Sequence, residues 1–418
     1  MEQATLSLVV LVCVAVAFVT ERIPVALVAV MGAMACGLLG LIPLNQIFAG
    51  FSGGSAVLLM SMMIVGSSLF HTGLARRISQ YLLRFTGTTE RGIIFTTMII
   101  GSAMSSICNN VGVVVTLMPI VLGMCRDANI KPSKVLYPLA AAAGLGGAIT
   151  LVGTASSVTA NSILESMNIP TFGFLEFAWV GIPLTILGIA YIMLVGHKLL
   201  PAYDVDWSTM EIDKEDNANP KKMWICGFIL ILVILFMAFN PTGLPLFVIS
   251  SLGAVVIILT GCMTDKQAYR SIDWTTIFIA GGMVAVSTAV MKSGGGELIA
   301  DGVVKVLGEK PNPYLITAVV LFVTSVMTQF LSNVSTASLM TPVAIFIAQG
   351  IGANPNTMAM VVAIAANSSF ATPVGAQAFT VVKEPGNYRF NDFVKAGLPL
   401  VIINFILGLL VIPMVWPF

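Results

Sequence analysis

The chain has 418 residues, 57% of them hydrophobic and only 9% charged, with a formal net charge of +1. Soluble domains carry about 25% charged residues, so this composition excludes an ordinary water-soluble enzyme, and it offers no basic excess that would point to nucleic acid. Apolar segments of membrane-spanning length recur from residue 4 to residue 416. They predict an all-α polytopic membrane protein in contact with the lipid bilayer; the short alternating segments of a β-barrel are missing from the sequence.

In chain order, the first apolar run lies within MEQATLSLVVLVCVAVAFVTER. It has no basic leading region and no small-residue cleavage site, so it reads as a retained span over 4–20 rather than a removed leader. Further spans are expected at 24–42, 54–72, 135–165, 174–200, 222–239, 244–262, 274–292, 357–383 and 395–416. Two other apolar regions, 92–125 and 314–349, are too long for one crossing of about 20 residues and too short for two. Each is interrupted by small polar residues, at 105–110 and 332–338. These regions predict re-entrant helical hairpins, whose irregular tips are tolerated at depth only where protein or a water-filled cavity surrounds them.

A polar linker, 201–221, divides the chain into halves 1–200 and 222–418. Each half reads as three spans, a hairpin and two spans. Met104-Ser105-Ser106-Ile107-Cys108-Asn109-Asn110-Val111 aligns with Met327-Thr328-Gln329-Phe330-Leu331-Ser332-Asn333-Val334, and a proline follows at the same distance in both, Pro119 and Pro342. Further on, Leu151-Val152-Gly153-Thr154 faces Pro373-Val374-Gly375-Ala376. An odd number of crossings per half makes the repeats inverted. Basic residues agree: 17 of the 20 lysines and arginines fall on one side, and only Lys292, Lys305 and Lys310 on the other. This bias places the protein in the cell (inner) membrane with its N-terminus outside and the linker in the cytoplasm. The first hairpin then enters from inside and the second from outside.

The polar interruptions carry the chemistry. Besides the two tips, the spans that follow them are broken at 144–157 and 367–377 by glycine, proline, serine and threonine. Glycine and proline unwind a helix and free backbone groups. Freed carbonyls, with Ser, Thr and Asn oxygens, suit a hard monovalent cation such as sodium, while new helix N-termini suit an anion. An asparagine can serve both, with its carbonyl on the cation and its NH2 on the anion.

These residues resemble those of the divalent anion:sodium symporter family, the sodium-coupled dicarboxylate, citrate and sulfate carriers of the ion-transporter superfamily. The likeness covers nearly the whole chain and includes Asn110 and Asn333, the TLVGT and ATPVGAQ breaks, and Gly386-Asn387-Tyr388-Arg389-Phe390-Asn391-Asp392-Phe393 followed by GLPL. It implies one sodium site at Ser105, Asn110 and the backbone near Gly153, and a mirror site at Thr328, Asn333 and the backbone near Gly375. It implies a small anionic substrate among Asn109, Asn110, Val111, Thr154, Ser332, Asn333, Val334, Thr372, Pro373 and Ala376. It also implies a homodimer with an elevator-like moving part. The sequence departs from the family at Val111 and Val334, where the tips of relatives carry threonine, and at Asn109, where they carry serine. Ala155-Ser156-Ser157-Val158 and Gln377-Ala378-Phe379 replace the patterns that follow the family's broken-span glycines. The linker is too short for the soluble insert of longer relatives.

Three other classes compete. A proton-coupled antiporter of the same superfamily would want an acidic residue at the tip, where Asn109 stands; Glu21, Glu165, Asp273 and Glu297 are expected at span ends or in loops. A channel would show a filter repeat or a charged ring. An intramembrane enzyme would need a nucleophile–base pair, and His71 and His197 near span ends supply none. The six cysteines show neither metal spacing nor a disulfide pattern.

Overall fold

The computed structural model describes residues 2–83, 89–203, 219–307 and 312–418. Among these residues the secondary structure is helical and contains no strand. The first half runs α1 (Glu2–Thr20), α2 (Val25–Leu38), α3 (Gly54–His71), α4 (Leu74–Leu83), α5 (Glu90–Ser105), α6 (Asn110–Asp127), α7 (Leu136–Gly147), α8 (Ala155–Ser166) and α9 (Ala178–Tyr191). A π-turn, Ile192–Gly196, carries α9 into the short α10 (His197–Leu199). The second half runs α11 (Pro220–Phe239), α12 (Leu246–Leu259), α13 (Asp265–Ser271), α14 (Trp274–Lys292), α15 (Gly295–Leu307), α16 (Pro313–Met327), α17 (Asn333–Gly350), α18 (Pro355–Ala366), α19 (Gln377–Lys383) and α20 (Phe390–Val415).

Apart from the short α10 and α13, the order of elements in one half repeats in the other. The expected hairpins are α5–α6 and α16–α17, and the expected broken spans are α7–α8 and α18–α19. Local chemistry fixes their ends. Asn109 caps α6 by accepting from the Val111 N–H at 2.9 Å, and Ser332 caps α17 by accepting from the Ser335 N–H at 3.1 Å. Pro119 and Pro342 fall inside the second arms of the two hairpins. Asn–Pro pairs open α11, α16 and α18, each with an asparagine cap and proline in the first turn.

Two spans are shorter than expected. The runs at 24–42 and 244–262 yield only 14 helical residues each, about 21 Å of helix, before glycines at φ 71° (Gly40) and 69° (Gly261) reverse the chain. Seven helical stretches among the described residues are long and apolar enough to cross a membrane. The interrupted spans are absent from that set because each is split into two half-helices. Most of the 201–221 linker, with its acidic run Glu211 to Asp216, lies outside the described residues, as do Arg84 and Lys310.

The core is built from small residues. Every residue of α7, LYPLAAAAGLGG, is buried, as is every residue of α18 from Thr357 to Ala366. Alanine and glycine let helix backbones approach closely, so α5 and α6 pack on α7, while α16 and α17 pack on α18. Large apolar side chains such as Val16, Trp224, Phe228, Leu235 and Leu410 face outward, as a lipid-facing surface requires.

Candidate transport site

Two matching centres form where each hairpin tip meets the break of its own half. In the first, the Ser105 hydroxyl donates to Asn110 Oδ1 at 2.6 Å. The same end of the Asn110 amide lies 3.2 Å from the Gly153 carbonyl oxygen and 3.2 Å from that of Ala143. In the second, Asn333 Oδ1 accepts from Thr328 Oγ1 at 3.0 Å and from Ser369 Oγ at 2.9 Å. That amide end lies 3.2 Å from the Gly375 carbonyl oxygen and 3.1 Å from that of Ala366. The structure therefore brings together Ser105, Asn110 and Gly153, and likewise Thr328, Asn333 and Gly375. Each cluster admits two fillings. The amide NH2 turned inward donates to the surrounding oxygens, or its carbonyl turned inward completes a shell made wholly of oxygen.

Glycine is required at both breaks by space alone. A Cβ on Gly153 would stand 2.6 Å from Gly147 O and 3.0 Å from Ser105 O, and one on Gly375 would collide with Thr328 O. Only a bare backbone lets the break lie against the tip.

A second pair of residues holds break and tip together. The Thr150 hydroxyl donates to the Ser106 carbonyl and accepts from the Gly153 N–H at 3.1 Å. Its counterpart Thr372 donates to the Gln329 carbonyl and accepts from the Gly375 N–H at 3.4 Å. Gln329 adds further ties in the second half: its Nε2 donates to Ser325 O at 2.8 Å and Ser368 O at 2.9 Å, and its Oε1 accepts from the Ala371 N–H at 3.1 Å.

A cavity of about 250 Å³ lies between the two tips and the α2, α3 and α14 helices. Asn109, Asn110, Val111, Thr154, Ser332, Asn333, Val334 and Ala376 all line it. Thr372 and Pro373 do not: the Thr372 hydroxyl is spent on the tip, and this threonine stands behind the wall rather than in it. The helices α6, α17 and α8 begin at this wall, at Asn110, Asn333 and Ala155, so their unpaired N–H groups give it a positive character. The opposite wall carries the apolar side chains Val25, Leu59, Met62 and Ile279 beside the polar start of α14 at Thr275 and Thr276.

Sequence reasoning missed one group here. Asp273, expected in a loop or at a span end, caps α14 and also lines the cavity. A carboxylate immediately ahead of an apolar helix reads as a cap, and only the packing of α14 against α2 and α3 brings it to the tips. Among the described residues no group of three or more His, Cys, Asp or Glu converges as a metal site, so the oxygens at the two centres come from neutral groups.

Comparison with known proteins finds transporters. The sequence model of the citrate transporter family CitMHS matches residues 15–365. An uncharacterised transporter of Haemophilus influenzae is 26% identical, over 95% of this chain and 89% of its own length. The uncharacterised transporter YfbS of Escherichia coli is 21% identical, over 96% of this chain and 97% of its own. That alignment is longer than this chain itself, so YfbS carries additional segments. Among solved structures, the Alcanivorax borkumensis YdaH transporter superposes with a TM-score of 0.63 at 15% identity, covering 90% of this chain and 87% of that one. Neisseria gonorrhoeae MtrF, described as one of a class of antimetabolite efflux pumps, gives 0.63 at 14% identity, covering 98% and 94%. At these identities the likeness is one of fold.

Proposed function

The chain belongs to the CitMHS citrate transporter family, within the divalent anion:sodium symporter and ion-transporter group, and from that premise we propose that it is a sodium-coupled symporter. Its cargo is a small divalent anion, a C4-dicarboxylate, citrate or sulfate. The observation that carries this reading is the pair of matching oxygen-rich centres at Asn110 and Asn333, sharing one cavity with helix N-termini. With each amide carbonyl turned inward, the first centre offers Ser105 Oγ, Asn110 Oδ1 and the carbonyls of Gly153 and Ala143 to a cation. Uncharged oxygens suit a hard monovalent ion. The Asn110 NH2 and the second hydrogen of the Asn333 NH2, whose first reaches Asn367 Oδ1 at 3.5 Å, are then available to the anion, which rests on the N–H groups of α6, α17 and α8 and needs no lysine or arginine. One side chain touching both ligands couples them.

On this reading the halves are inverted repeats, with the N-terminus outside, the linker in the cytoplasm and the protein in the inner membrane as a homodimer. Hairpins and broken helices form the moving part of an elevator against α1–α3 and α11–α14. The test is uptake into proteoliposomes under an imposed sodium gradient, with labelled succinate, citrate and sulfate. Asn110→Ala and Asn333→Ala are each expected to abolish sodium-dependent uptake while the purified protein keeps its helical circular dichroism and monodisperse elution. Full activity in either variant would remove the proposed site.

A proton-coupled carrier is the second reading, and one observation favours it: an ionisable group, Asp273, does face the cavity. Uptake driven by a pH gradient and indifferent to sodium would select it.

A further inference from the structure

Asp273 is the one ionisable side chain among the described residues that line the central cavity. Its local bonds are those of a helix cap. It accepts from the Thr276 hydroxyl at 2.6 Å and from the Thr276 N–H at 3.4 Å, and its own N–H donates to Met63 Sδ at 3.3 Å. None of this needs a charge, because asparagine caps a helix as well as aspartate does. What the carboxylate adds is a formal negative charge in a cavity whose other polar groups are neutral. It acts on the two cargoes with opposite sign: it draws a cation inward and opposes an anion, and a partly desolvated cavity screens it less than bulk water does.

Resting on the sodium-symport reading above, we propose that Asp273 is the charge-selecting residue of the cavity, which favours sodium entry before the anion and weakens the anion's hold until sodium is in place. Its setting suits that role. Asp273 belongs to α14, which packs on α2 and α3, whereas Asn110 and Asn333 belong to the hairpins. The charge therefore sits on an element separate from both cation centres, so it biases loading without binding either ion permanently.

The test uses Asp273→Asn, which keeps the cap and removes the charge, and Asp273→Glu, which keeps the charge. Two quantities are read on the purified, lipid-reconstituted protein: radioactive-sodium affinity without any anion, and half-saturation of succinate, citrate and sulfate uptake at saturating sodium. The expected result for Asp273→Asn is sodium affinity weaker by about three- to ten-fold, with the anion half-saturation lowered. Asp273→Glu is expected to return both toward the wild-type values. A purely structural cap would change the maximal rate, or move both constants in the same direction, and either result overturns the proposal. So does an unchanged pair of constants. If the wild-type protein itself binds no sodium and transports equally well in choline, the symport reading falls and this inference with it. That outcome is distinguishable because it appears before any variant is made.

Discussion

Position 147 and position 369 occupy equivalent places in the two halves, and their difference sets the two oxygen-rich centres apart. A Cβ on Gly147 would stand 2.8 Å from Asn110 Oδ1, so a side chain there would displace the Asn110 amide from its present place. Ser369 fills the corresponding place in the second half and bonds Asn333 Oδ1 at 2.9 Å. The second centre thus offers one more oxygen than the first, and under the proposed sodium symport a cation there should be held more tightly. Ser369→Ala should raise the sodium concentration for half-maximal uptake by about tenfold, the worth of one hydrogen-bonding ligand at roughly 1.4 kcal/mol. Unchanged sodium dependence in that variant would place the tighter site elsewhere. At this scale much was legible beforehand: both asparagines, both glycines and both hydroxyl partners stand where the repeat placed them. Thr372 was legible only as a polar residue in a break. Its sequence neighbours could not show that the hydroxyl turns toward Gln329. Its first-half counterpart, Thr150, does the same work, and Thr150→Val and Thr372→Val should each lower the melting temperature by the few degrees that a lost hydrogen bond of about 1 kcal/mol implies.

Among the elements, hairpins and breaks announce themselves because glycine, proline and asparagine interrupt long apolar runs. Two helices announce themselves less. LARRISQYLL forms α4 and GGELIADGVVKVL forms α15, each placed after the third long helix of its half and before the hairpin. Both are amphipathic, so a search for spans of about 20 apolar residues passes over them. Gly294 ends α14 at φ 81°, and α15 begins at the next residue. Contacts between elements were less legible still. Glu165, at the end of α8, accepts from the N–H groups of Gly54 at 2.9 Å and Ser55 at 3.0 Å, and from the Ser55 hydroxyl at 2.7 Å. A carboxylate on the first turn of α3 satisfies orphan donors and complements the helix dipole. It also ties a broken-span helix to a helix of the opposing wall, a clip that the proposed elevator motion would have to release in each cycle. In Glu165→Ala the amides of Gly54 and Ser55 should exchange hydrogen faster by about tenfold, with those of α7 unaffected. Equal protection in variant and wild type would show that the clip does not hold α3.

At the scale of the whole molecule, the repeat in the sequence predicts two similar halves but not how they engage. They could have stood side by side, joined mainly through the linker. Instead they interdigitate: α17 and α18 of the second half pack on α8 of the first, α19 packs on α6 and α7, α14 on α2, and α12 on α3. Polar ties cross the same boundary. Asn367 Nδ2 donates to Gly144 O at 2.8 Å, Tyr137 Oη donates to Phe370 O at 3.1 Å, and Tyr388 Oη accepts from the Tyr137 N–H at 2.9 Å. Each half left alone would expose these backbone groups and the small-residue faces of α7 and α18 at membrane depth, where unsatisfied polar groups cost several kcal/mol each. The cavity makes the same demand, since its polar wall takes asparagines from both halves. Cleaving the chain between residues 203 and 219 should therefore leave the two pieces associated. Co-expressed fragments 1–203 and 219–418 are expected to copurify and to regain the transport activity of the intact chain, while either fragment alone is expected to aggregate or be degraded. Fragments that fail to copurify would mean that the covalent link, and not the shared core, holds the halves in register.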